Sequence, residues 1–131
     1  MRNLTVGELG SLVLKFPAGW RTLCRTPFLS PDAMRNWQFA RIQRLVAHAY
    51  AHVPFYRARY QAVSFTPRDL RTWDDFHRLP VVCKDDVIAN YPERMLDSRC
   101  RRDALIVSRS SGSSGKVLDV AYDSAAMLVF V

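Results

Sequence analysis

The chain changes from a helix-like to a strand-like pattern at about residue 104, and this change restricts the folds open to it. Over residues 31–103, apolar side chains recur every three to four positions, which is typical of amphipathic helices. Residues 104–107 and 117–122 are short apolar runs of strand type. A loop rich in serine and glycine separates the two runs. This order predicts an α/β chain in which a helical region, residues 31–103, leads into a strand, a loop and a second strand within residues 104–131.

The first predicted helix has a clear start. Ser30 offers a hydroxyl cap, Pro31 fits the first turn, and Asp32 lies near the positive end of the helix. Its apolar stripe consists of Met34, Trp37, Ile42, Leu45, Val46, Ala49 and Val53. Pro54 is expected to stop or kink this helix.

Further short helices are predicted over residues 55–62 and from starts at Thr66, Thr72 and Lys84. Residues 1–30 contain several prolines and glycines and are predicted to be irregular, with at most a short helix at residues 8–16. No run of 18 uncharged apolar residues occurs, so no membrane-spanning helix is expected.

Charge is unevenly distributed along the 131 residues. The net charge of +7 lies entirely in residues 1–65, which carry nine basic and two acidic side chains, whereas residues 66–131 carry ten of each. This basic half, with its aromatic residues Trp37, Phe55, Tyr56 and Tyr60, leaves a nucleic-acid-binding module as one alternative. The core-like spacing of the rings and the lack of a recognition motif argue against nucleic acid as a partner.

Cysteine and histidine usage points to a protein without disulfides or metal. Cys24, Cys83 and Cys100 are far apart and form no C-x-x-C pair, which fits a reducing compartment. The first 20 residues lack the pattern of a secretory signal, so a cytoplasmic location is expected. His48 and His52 are four residues apart, but without further ligands they are interpreted as helix-face residues and not as a zinc site.

One segment carries a binding mechanism. Small residues let backbone N–H groups approach an anion closely, hydroxyls add donors, and a terminal lysine adds positive charge. The predicted phosphate-binding residues are Ser110, Ser111, Gly112, Ser113, Ser114, Gly115 and Lys116. The segment is not a Walker loop, because Ser110 and Val117 stand where that motif needs glycine and a hydroxyl residue. Taken alone, its spacing leaves a flexible linker between strands equally open.

The same loop resembles the S-S-G-T-T-G-K phosphate loop of the adenylate-forming acyl-CoA ligases. Serine replaces both threonines, and Val117 stands in the place of the usual proline. An upstream pattern resembles phenylacetate-CoA ligases in particular. It comprises residues 45–50, Val-Pro-Phe-Tyr-Arg at 53–57, Pro-Arg-Asp-Leu at 67–70, Asp-Phe at 75–76, Leu-Pro-Val at 79–81, Lys-Asp at 84–85 and Tyr-Pro at 91–92.

The resemblance implies the first part of a large α/β adenylation domain, whose remaining strands the chain lacks. It also implies an ATP-dependent, AMP-forming reaction that joins a carboxylate, such as an aryl acid, to coenzyme A with Mg²⁺. Residues 110–116 would contact the β- and γ-phosphates of ATP, with Lys116 as a charge clamp. No catalytic or metal-binding residue is assigned.

Because relatives are several times longer and the apolar end at Val131 is abrupt, we expect a truncated N-terminal fragment that is not catalytic alone and is prone to self-association. A relative without ligase activity, linked to capsule or exopolysaccharide synthesis, remains an alternative. The acyl substrate cannot be read from these residues.

Overall fold

A computed structural model describes residues 20–22, 24–110, 115–123 and 126. The helices are α1 (Pro31–His52), α2 (Pro54–Ala62), α3 (Trp73–His77) and α4 (Lys84–Asn90), and the strands are β1 (Ile106–Arg109) and β2 (Asp119–Tyr122). Single 3₁₀ turns are present at Thr26–Phe28, Pro67–Asp69 and Arg102–Ala104. The helix expected at residues 8–16 lies outside the described residues. Residues 20–22 and 24–25 are also helical, within the segment that the sequence predicts to be irregular.

Local hydrogen bonds explain where the helices begin. The Ser30 hydroxyl accepts from the backbone N–H of Ala33 at 3.3 Å, as its position before Pro31 predicts. Val53 is extended between α1 and α2, and Pro54 therefore opens α2 and does not kink α1.

At three later starts an aspartate carboxylate accepts from the backbone N–H of the residue three positions earlier, and at Thr72 the hydroxyl also accepts from the N–H of Asp75 at 3.3 Å. The pairs are Thr66 with Asp69, Thr72 with Asp75, and Cys83 with Asp86.

The core lies where α1 and α2 meet residues 65–70. Val46, Tyr60, Phe65 and Leu70 form its buried centre. The side chains packed around them are Phe39, Ile42, Tyr50, Tyr56, Phe76 and Leu79. The predicted stripe on α1 is wrong at Leu45, which is 66% exposed. At about 100° per residue, the stripe that packs against the core runs through Phe39, Ile42 and Val46 and leaves Leu45 beside it.

The segment after α4 returns to the junction of α1 and α2. The Phe55 N–H donates to the carbonyl of Arg94 at 3.0 Å, and the Ser98 N–H donates to the carbonyl of His52 at 2.8 Å. Between them, His48 Nε2 lies 3.1 Å from Asp97 Oδ2. These bonds hold the chain against the helices immediately before it enters the strands.

The two strands form an antiparallel hairpin. Ile106 pairs with Tyr122, and the register continues to Arg109 opposite Asp119. β1 begins two residues later than the apolar run predicts, because residues 102–104 form a 3₁₀ turn. The hairpin side chains Ile106 and Val107 are 47% and 52% exposed. Within the described part of the chain, no helix is long and apolar enough to cross a membrane.

Candidate phosphate-binding site

Ser110 closes the base of the predicted phosphate loop. Its N–H donates to the carbonyl of Leu118 at 2.9 Å, and its hydroxyl oxygen accepts from the N–H of Leu118 at 2.8 Å. The pair extends the hairpin ladder by one step beyond the strands. The hydroxyl of Ser110 is therefore used to close the loop stem. Ser111, Gly112, Ser113 and Ser114 lie outside the described residues.

Gly115 turns the backbone into the left-handed region at the other end of the loop. Its φ is +77°, a conformation that glycine adopts without steric cost. A Cβ placed there would meet no atom within 4 Å. The requirement for glycine is thus one of backbone conformation and not of space.

Lys116, the predicted charge clamp, is held by a carboxylate of the helical region. Its Nζ lies 2.6 Å from both Oδ1 and Oδ2 of Asp85, in the first turn of α4. In return, Lys84 Nζ donates to the backbone carbonyl of Lys116. These two contacts attach the end of the loop to the start of α4.

The Lys116–Asp85 pair lies at the surface, with 55% and 63% of the two side chains exposed. Exposed ion pairs typically contribute about 0–1 kcal/mol, because water screens them. A hydrogen bond to a charged group contributes about 1.5–3 kcal/mol. The pair is therefore a weak constraint on the position of the Lys116 ammonium group.

A second ion pair, between Arg109 and Asp119, connects β1 and β2 below the loop. Arg109 donates from Nε to Asp119 Oδ1 at 2.7 Å and from Nη2 to Oδ2 at 3.1 Å. The hydrogen bonds from Arg109 lower the pKa of Asp119, and the same bonds raise the pKa of Arg109. The forked geometry fixes the orientation of both side chains across the two strands.

A cavity of about 420 Å³ opens between α4 and the hairpin stem. Its lining residues are Ile88, Tyr91, Pro92, Arg109, Val117, Leu118 and Asp119. The cavity borders the loop base, and most of its lining is apolar. The predicted loop therefore has a recess beside its stem, bounded by a forked ion pair.

The sequence analysis identified Lys116 but not its partners. Lys84 was noted as a helix start, and Lys84 and Asp85 as part of a resemblance pattern, but neither was connected with the loop, and Asp119 was not singled out. Asp85 and Lys116 are 31 residues apart, so no spacing rule connects them. The sequence feature related to this contact is the pair Lys84 and Asp85 at the start of α4, where opposite charges stand on adjacent residues.

The aromatic residues considered for nucleic-acid binding and the histidines considered for zinc binding make contacts within the fold. Arg41 lies over the ring of Trp37 at 4.0 Å, and Phe55 and Tyr60 are buried. Those rings are consequently not open platforms for stacking bases. His48 and His52 are in ring contact at 5.0 Å, and among the described residues no three His, Cys, Asp or Glu side chains form a group able to hold a metal ion.

Comparison with solved structures gives the class of fold. The chain matches 2-hydroxyisobutyryl-CoA ligase, solved in an open conformation with 2-HIB-AMP and CoA, with a TM-score of 0.65 at 23% identity. A second structure of that ligase, in the postadenylation state with 2-HIB-AMP, matches with a TM-score of 0.62 at 24% identity. The matches cover 77% and 74% of this chain, and 24% and 21% of the ligase chains. The described fold is that of part of an acyl-CoA ligase, which confirms the predicted fold class.

Sequence comparison narrows the likeness to phenylacetate-CoA ligases. The chain is 37% identical to the enzyme of Aromatoleum evansii and 34% identical to that of Pseudomonas putida, each over 93 residues. It is 33% identical to the Thermus thermophilus enzyme over 102 residues. These matches cover 71–78% of this chain and 21–23% of the relatives, so the chain spans about a fifth of their length. The resemblance to phenylacetate-CoA ligases is thereby confirmed. No family model matches the chain.

Proposed function

We propose that this chain supplies the ATP phosphate-binding loop of an AMP-forming carboxylate–CoA ligase and does not catalyse the reaction alone. In this proposal residues 110–116 contact the β- and γ-phosphates of ATP. The Lys116 ammonium group offsets phosphate charge, and backbone N–H groups of the loop add donors. The carboxylate substrate is of the aryl acid class, by likeness to the phenylacetate-CoA ligases.

The observation that carries the proposal is the contact of Lys116 with a carboxylate. The ammonium group at the end of the loop already holds two oxygens at 2.6 Å, which is the kind of contact a phosphate would make. The bond between Ser110 and Leu118 and the left-handed conformation of Gly115 give the two described ends of the segment a defined backbone, which supports the proposal.

Mg²⁺ and coenzyme A are proposed by likeness to the relatives alone. Mg²⁺ prefers phosphate and carboxylate oxygens and would supply further charge neutralisation on the nucleotide. A cytoplasmic location is likewise a proposal. Exposed apolar side chains on the hairpin, such as Ile106 and Val107, support self-association of the chain.

ATP binding to the 131-residue chain tests the proposal. We expect a dissociation constant in the micromolar to millimolar range by titration calorimetry, since a few charge-assisted bonds supply most of the affinity. Lys116→Ala removes one such bond and should weaken binding about tenfold or more. Arg44→Ala, which removes an exposed positive charge from α1, is the control and should change the affinity little.

Three results would contradict the proposal, the first of which is the absence of ATP binding by the wild-type chain. Equal ATP affinity in the wild-type and Lys116→Ala chains would place the phosphates elsewhere. Pyrophosphate release from ATP and phenylacetate by the wild-type chain would show that it catalyses adenylation without further residues.

A further inference from the structure

Asp85 contacts the charge that the proposed function reserves for ATP. Its two carboxylate oxygens lie at equal distances of 2.6 Å from Lys116 Nζ. Two oxygens sharing one ammonium group resemble the arrangement of two phosphate oxygens around a lysine. The helical region thus presents an anion to the loop at the point where a ligand anion is expected.

The backbone of Lys116 is held independently of its side chain. Lys84 Nζ donates to the carbonyl of Lys116, and on the other side Leu118 is bonded twice to Ser110. Loss of the Asp85 contact therefore frees the ammonium group while the backbone around it stays attached. The side chain of Lys116 is able to change partner without rebuilding the hairpin stem.

We propose that Asp85 is a positioning residue that holds Lys116 in the ligand-free chain and gives it up when a polyphosphate binds. This inference rests on the proposed function, because it requires anion binding at the loop. Asp85 then has two opposing effects. It keeps Lys116 extended towards α4, and it competes with the incoming phosphate for the same ammonium group.

The size of the competition follows from the exposure of the pair. An ion pair that contributes up to about 1 kcal/mol is formed in most molecules and broken in a minority of them. A phosphate binds only those molecules in which the Lys116 ammonium group is not paired with Asp85. The apparent affinity is therefore the intrinsic affinity multiplied by the fraction of such molecules. Removing the Asp85 charge should consequently raise anion affinity about two- to fivefold.

Calorimetric titration with sodium tripolyphosphate tests the inference, because this probe carries the phosphates without an adenine. Asp85→Asn preserves the shape of the side chain and removes its charge, and it should bind the probe about two- to fivefold more tightly than the wild-type chain. Asp32→Asn removes the same charge from α1 and should change affinity far less. In a Lys116→Ala background, Asp85→Asn should have no more effect than the Asp32→Asn control.

A spectroscopic measurement separates competition from a purely structural role. The ¹³C signal of the Asp85 carboxyl carbon should move, on addition of tripolyphosphate, towards its position in the Lys116→Ala chain. Circular dichroism should show that all variants keep the wild-type helix content.

The possible failures are distinguishable. If the wild-type and Asp85→Asn chains bind equally, or if the carboxyl signal does not move while the probe binds, the inference is wrong and the proposed function stands. If neither chain binds tripolyphosphate or ATP, the proposed function fails and the inference fails with it.

Discussion

Gly115 is the position of the described loop at which a single side chain would matter most. Its φ of +77° places it in a region that L residues enter at a cost of about 1–2 kcal/mol. The Cβ of an alanine at this position would meet no described atom within 4 Å. Backbone strain alone therefore decides the cost of an alanine at this position.

Substitution at Gly115 should loosen the hairpin in proportion to that strain. We expect Gly115→Ala to reduce the hydrogen-exchange protection of the β1 and β2 amides about five- to thirtyfold, which corresponds to 1–2 kcal/mol. Gly115→Asn should cost less, because asparagine enters the left-handed region more readily. Equal protection in the glycine and alanine chains would contradict the assigned backbone conformation.

The roles of single loop residues were only partly predictable. The sequence favoured an anion-binding loop, and Lys116 does hold an oxyanion, though one that belongs to Asp85. Ser110 was predicted as a phosphate donor, and the structure adds a second role, since its hydroxyl oxygen accepts from the N–H of Leu118 while the O–H proton is still able to donate. That bond depends on the register of the two strands, which the spacing of serines and glycines does not determine.

The helices show which features of an element are local and which are not. Their starts at Ser30, Thr72 and Lys84 were predictable, because each cap involves residues only three positions apart. The buried face of α1 was predicted less well. Leu45 continues the apolar spacing yet faces solvent, because the position of α2 decides which side of the stripe is covered.

One substitution made at two leucines tests this assignment of the core. Leu70 is 2% exposed and Leu45 is 66% exposed. Leu70→Ala should lower the free energy of unfolding by about 2–5 kcal/mol, since it removes buried methyl groups and leaves a cavity. Leu45→Ala should change it by no more than about 0.5 kcal/mol. Urea denaturation of the two variants measures both values, and similar losses would show that α1 packs through a different face.

The whole molecule is joined by contacts that connect distant parts of the sequence. The Lys116–Asp85 pair attaches the hairpin to α4, and bonds from Asp97 and Ser98 attach the preceding segment to α1. Neither helical periodicity nor cap motifs encode these pairs, which is why the sequence predicted the elements and their order but not their arrangement. Aspartates take part in many of the contacts, and this gives the chain a definite response to acid.

Hydrogen bonds in the folded chain lower the pKa of several aspartates. The Thr66 hydroxyl does so for Asp69 and the Thr72 hydroxyl for Asp75. The pKa values of three more carboxyls are lowered by the backbone N–H of Cys83 on Asp86, by the Arg99 guanidinium on Asp97 and by the Arg109 guanidinium on Asp119. In each case the folded pKa lies below the ordinary value of 3.8, so the unfolded chain binds protons first as pH falls.

The free energy of unfolding should therefore be constant near neutral pH and decrease progressively below about pH 5, as the unfolded chain takes up protons. Urea denaturation at intervals from pH 7 to pH 2.5 measures this loss.

Asp75→Asn should lower stability at pH 7 and make the acid loss shallower, because one cap carboxylate no longer titrates. Asp74→Asn removes the same charge from the neighbouring position and serves as the control. If Asp75→Asn leaves the acid loss as steep as in the wild-type and Asp74→Asn chains, the Thr72–Asp75 cap does not couple folding to protonation. The acid response would then have to come from other carboxylates.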